Sequence, residues 1–189
     1  MKLRSTIILA MPMLVGACGY ITIQSMDERA AAAQKQISVQ LQRRADLVPN
    51  LVNTVKGFAA QEAEVFETVA KARAGLAGAV TGGNITEMAN ANQQLTGALG
   101  RLLAISENYP QLKSDQNFLR LQDELTGTEN RIAVARTDYN QAVQDYNAFI
   151  RRFPAVMTAK VTGAKPRDYF DVTNPGAREV PAVDFTKKP

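Results

Sequence analysis

The chain has 189 residues, of which 46% are hydrophobic and 21% charged, a composition that suits one globular domain with appendages and not a disordered chain. Histidine is absent and there is one cysteine, which excludes a histidine-based triad, a histidine general base, a histidine-ligated zinc site and an intrachain disulfide. The net charge of +4 is no nucleic-acid signature, because Lys2 and Arg4 supply part of it and the basic residues neither run together in blocks nor interleave with aromatics.

Lys2 and Arg4 precede an apolar stretch from Thr6 to Cys18, the shape of a secretory signal. Its end, Val15-Gly16-Ala17-Cys18, resembles a bacterial lipobox, in which two small residues admit the peptidase and the thiol accepts diacylglycerol. On this reading residues 1–17 are a signal or anchor segment, Cys18 is the lipidation site and residues 18–24 are a tether. A single membrane-spanning helix is the rival, since residues 5–26 carry no charge and about 20 apolar residues cross the hydrocarbon. Pro12, Gly16, Gly19 and Gln24 interrupt that run. Both readings put the rest of the chain outside the cytoplasm on a membrane. Gly19, following the cysteine, leaves the outer membrane open.

From Ile37 the apolar positions run Leu41, Val48, Leu51, Val55, Phe58, Val65, Val69, Ala72 and Leu76 in steps of three and four, with Arg44 and Glu62 in two of the slots. This is an amphipathic helix. Pro49 interrupts it, having no N–H for the carbonyl four residues back. The stretch is therefore one long kinked helix or two helices broken near Asp46. Gly75, Gly78, Gly82 and Gly83 then mark a loop; no Lys-Ser/Thr follows them, so it is a linker and not a phosphate loop. A further helix fits residues 85–108, with Met88, Leu95, Leu99, Leu102 and Ile105 on its apolar side, and Tyr109-Pro110 ends it. In the last long helix Phe118, Leu125, Ile132, Tyr139, Tyr146 and Phe153 recur every seven residues, with Leu121, Thr128, Ala135, Ala142 and Phe149 between them. Ser114 or Asp115 caps it and Pro154 stops it.

A break near Asp46 yields four segments able to fold back on one another. The expected fold is thus all-α, an antiparallel up-down four-helix bundle over residues 25–155. Residues 156–189 form an irregular C-terminal tail, in which Val180–Phe185 reads as extended.

The stretch Gln40-Leu-Gln-Arg-Arg-Ala-Asp-Leu-Val-Pro-Asn-Leu-Val-Asn-Thr-Val-Lys-Gly-Phe58 with Glu62 resembles the hallmark of LemA family proteins. Glu107-Asn-Tyr-Pro110, Gly127-Thr-Glu-Asn-Arg-Ile-Ala-Val-Ala-Arg136, the pairs Tyr139-Asn140 and Tyr146-Asn147, Phe153-Pro154 and Tyr169-Phe170 fit it in order. The resemblance implies a helical-bundle ectodomain on a bacterial membrane, in a family for which no enzymatic activity is established. The family's usual anchor is a simple N-terminal transmembrane helix, from which Cys18 departs.

On the last helix Glu129, Arg136, Asn140 and Asn147 form one polar stripe beside the tyrosines. Charges facing a bundle interior are costly unless paired. We expect Glu129 to pair with Arg43 or Arg44, and Arg136 with Glu62 or Asp46, fixing the register of the helices. Catalytic, cofactor and metal residues are expected to be absent, as are nucleic-acid partners and small-molecule substrates. Two functions follow: a membrane-anchored interaction or scaffold module of the cell envelope with an unidentified envelope protein as partner, or a protein that remodels membrane by binding lipid directly.

Overall fold

A computed structural model describes the backbone of residues 2–171 and the side chains of residues 19–171. The Cys18 thiol and residues 180–185 lie outside the described residues. Among the described residues six α-helices follow one another: α1 (Lys2–Lys56), α2 (Ala63–Gly82), α3 (Ile85–Ile105), α4 (Pro110–Lys113), α5 (Gln116–Phe149) and α6 (Ala155–Thr162), with a 3-10 turn at Ser106–Asn108. The same residues include no strand.

The heptads of α5 do what their spacing predicts. Phe118, Leu121, Leu125, Thr128, Ile132, Ala135, Tyr139, Ala142 and Tyr146 are all buried. Their main partner is α1, whose Ile37, Leu41, Val48, Leu51 and Val55 are fully buried. The two helices run antiparallel, since Ile23 clusters with Tyr146 and Ile150 while Arg44 meets Glu129. Asp115 caps α5, accepting from the Phe118 N–H at 2.9 Å. Phe153 falls outside the helix and is exposed, so the last expected heptad position is not part of the seam.

The expected break near Asp46 does not occur: α1 runs unbroken through Pro49 for 55 residues. The carbonyl that Pro49 leaves without a donor is that of Ala45. Arg73 of α2 supplies the donor, its Nε reaching the Ala45 oxygen at 2.9 Å. The chain turns instead at residues 57–62, where Lys56 sits over the Phe66 ring at 5.3 Å. Phe58 and Glu62 therefore leave the helical register, and Phe66 enters the core. Residues 18–24, expected as a tether, belong to α1, with Ile23 buried.

The expected glycine linker is also helix. Gly75 and Gly78 lie within α2, where a Cβ at either would meet nothing within 4 Å, while Leu76 and Ala79 face the core. Only Gly83 and Asn84 turn the chain. Gly83 ends α2 in the left-handed region at φ +74, and the Asn84 side chain accepts from the Thr86 and Glu87 N–H groups to start α3. So α2 returns antiparallel along α1 and α3 returns along α2. Pro110 opens α4, and Pro154 immediately precedes α6.

Candidate functional site

Two polar constellations organise the body, and α5 contributes to both. In the first, Arg44 is 2% exposed and its guanidinium joins three helices. Nη2 pairs with the Glu129 carboxylate on α5, and Nη1 donates to the Asn92 Oδ1 on α3 at 2.6 Å. Burial pushes the Arg44 guanidinium below its ordinary value and the Glu129 charge opposes that. Among the described residues Nε has no hydrogen-bond partner, and neither does the buried Gln40 Oε1 one turn earlier on α1. Arg43 is exposed and takes no part.

In the second, the repeated Tyr-Asn pairs hold a later part of the chain. Residues 164–171 run back along α5 as an extended strap. Asn147 donates to the Arg167 carbonyl at 2.9 Å and accepts from the Arg167 N–H at 2.9 Å. One heptad away, Asn140 does the same with Phe170, donating at 3.3 Å and accepting at 2.9 Å. Each carboxamide thus satisfies a backbone donor and acceptor together, as a neighbouring strand would. Tyr146 donates to the Lys165 carbonyl at 3.1 Å and Tyr139 to that of Asp168 at 2.7 Å. Burial raises both phenols above their usual value. Side chains finish the clamp. The Arg167 fork grips Asp27 of α1 at 2.7 and 3.0 Å, which raises its own pKa, and Phe170 is buried in the core.

The expected polar stripe is therefore divided between two uses. Glu129 reaches Arg44, one of its two expected partners. Arg136 reaches neither Glu62 nor Asp46; it faces Asp171 of the strap at 3.4 Å. Asp46 accepts from Gln42 at 2.8 Å within α1, and Glu62 precedes α2 with no side-chain cap bond. Asp46 lies about 200° around α1 from Arg44, which is the residue that faces α5, and Glu62 lies in the turn beyond α1. Asp27, Asn92 and Arg73 escape a reading of the sequence, because each acts through a contact with a distant segment that no local period announces.

The α1–α5 seam has two flanks. The strap covers one. On the other, by helical spacing, lies an open groove of about 540 Å³ lined by Ala33, Gln36, Gln40, Arg131, Val134 and Asp138. Among the described residues no cluster of three acidic or thiol side chains is placed to hold a metal ion. Within residues 19–171, whose side chains are described, no helix is long and apolar enough to cross a membrane.

The LemA family model matches residues 33–185. Magnetosome protein MamQ 2 of Paramagnetospirillum magneticum is 31% identical over 176 residues, and so is MamQ 1 of the same strain. Magnetosome protein MamQ of Magnetospirillum gryphiswaldense is 30% identical over 174 residues. Each alignment covers 80% of this chain and 64% of the relative.

Proposed function

The chain belongs to the LemA family, and from that premise we propose that it is a membrane-anchored interaction module of the bacterial envelope, its helical body outside the cytoplasm and catalysing no reaction. The observation that carries this is the continuity of α1. The helix that contains the uncharged segment is the same helix whose Ile23, Ala30, Ile37 and Leu41 are buried in the body. Whatever holds the part of that segment before Gly19 at a bilayer holds the whole body, with no break in the helix between them.

Similarity to proteins named for the magnetosome supports association with a membrane. The use of the buried polar groups supports a structural role. Arg44, Glu129, Asn140, Asn147, Tyr139 and Arg167 are occupied with one another and with backbone. We read α1, α2, α3 and α5 as an up-down bundle locked by these contacts, which presents its surface to an envelope partner.

Membrane fractionation with intact mass of the mature chain tests the anchor. A chain in the membrane pellet that starts at Cys18 and carries diacylglycerol supports the lipoprotein form. An unprocessed Met1 in the pellet supports the spanning form. A chain found in the soluble fraction rejects the proposal.

A further inference from the structure

Among the described residues, half of the large apolar side chains left in water belong to two segments, 20–21 and 153–161. Phe153, just before α6, is 84% exposed, and Met157 and Val161 on α6 are 59% and 88% exposed, the three following one another at steps of four. The opposite face of that helix, Ala155 and Ala159, is buried against the body. On α1, Tyr20 and Ile21 are also exposed, Ile21 at 67%.

These residues are neighbours. A Cβ on Gly19 would lie 3.2 Å from the Thr158 hydroxyl, so α6 packs closely on α1 where α1 carries no side chain. Tyr20 and Ile21 follow within about 3 Å of axial rise of that contact. This is the base of the body, beside the uncharged segment of α1.

The segment that carries the stripe is basic. Between Asp145 and Asp168 every charged residue is basic: Arg151, Arg152, Lys160, Lys165 and Arg167. Arg167 is committed to Asp27, while the other four are exposed. A short helix with an exposed apolar stripe and flanking cations has the make-up of an element that lies in a lipid–water interface.

We propose that the base of the body, formed by Phe153, Met157 and Val161 with Tyr20 and Ile21, rests in the headgroup layer of an anionic bilayer. The apolar stripe enters the acyl boundary, and Arg151, Arg152, Lys160 and Lys165 meet lipid phosphates. The inference rests on the membrane-anchored reading and adds a second contact to the anchor. With both in place α1 is held in a fixed orientation to the membrane.

The chain lacks tryptophan, so Val161→Trp installs a single reporter, and Val134→Trp on the far groove serves as the control. Each full-length variant is reconstituted into phosphatidylcholine vesicles containing phosphatidylglycerol, with and without brominated acyl chains. Flotation of the vesicles reports the anchor, and tryptophan emission reports the base. The expected result is that both variants float, that emission from Val161→Trp shifts to the blue and is quenched by bromolipid, and that Val134→Trp keeps water-like, unquenched emission. Adding Arg152→Glu and Lys160→Glu to Val161→Trp removes most of the quenching and leaves flotation intact. Flotation with unquenched Val161→Trp overturns the inference and spares the anchor. A blue shift without bromine quenching overturns it in favour of a protein surface, such as a second copy. Failure of both variants to float overturns the anchored reading and this inference together.

Discussion

Replacing Arg73 by Met keeps the aliphatic stem and removes the donor to the Ala45 carbonyl. Ala45 is 1% exposed, and Pro49 has no N–H to offer it, so the carbonyl is left without a partner inside α1. A lost charge-assisted hydrogen bond costs about 1.5–3 kcal/mol. Arg73 itself is only half-buried and water can reach part of the site, so the lower end applies, about 1.5 kcal/mol. For a chain of this size that is about 3–6 °C in Tm. Pairing the change with Pro49→Ala isolates the cause. The alanine restores the N–H, the carbonyl regains its helical donor, and the loss on Arg73→Met falls to about 0.5 kcal/mol, a coupling of about 1 kcal/mol. Urea unfolding of the four detergent-solubilised chains, followed by far-ultraviolet circular dichroism, closes the cycle. Equal losses in the chain that keeps Pro49 and in the Pro49→Ala chain would refute the claim that Arg73 is what lets α1 pass through the proline.

Glu129→Ala strands the buried Arg44 charge and is expected to cost about 2 kcal/mol, discounted because Glu129 is half exposed; Glu129→Gln, which keeps an acceptor, recovers part of that in the same unfolding assay. Joint replacement of Asn140 and Asn147 by Ala frees both ends of the strap, so amide exchange at Arg167 and Phe170 accelerates while the α5 core stays protected. The raised phenols of Tyr139 and Tyr146 contribute stability that is full below their ordinary pKa of 10.0 and is lost as pH rises through their higher folded values. Strap protection should therefore fall in alkaline buffer, and a Tyr139→Phe, Tyr146→Phe chain should lose that alkaline dependence. Gly75→Ala and Gly78→Ala, where the added methyl meets nothing within 4 Å, each stabilise by about 0.5–1 kcal/mol in thermal melts.

Where the physics is local, the residues announce it. The heptads of α5 and the Asp115 cap depend on neighbours within a turn or two, and period and capping chemistry expose them, whereas Pro110, expected only to end a helix, also opens α4. Pro49 misleads because its repair comes from Arg73 on the next helix. Gly75 and Gly78 mislead because their intrinsic cost is outweighed by the buried Leu76 and Ala79 between and beside them. The stripe Glu129, Arg136, Asn140 and Asn147 is visible as a stripe, but what it holds is not. The strap bonds chiefly through its backbone, so its side chains carry no period, and Arg167 and Phe170 reach into the body.

The orientation of the body across the envelope is tested most directly by labelling at Val39, an exposed position on α1 far from the base. In Val39→Cys cells that keep Cys18 and whose outer membrane has been permeabilised, a membrane-impermeant maleimide should label the chain fully before lysis, with all of it recovered in the membrane pellet, and leave the parent chain with Val39 unlabelled. Labelling that appears only after the inner membrane is broken would contradict an extracytoplasmic body.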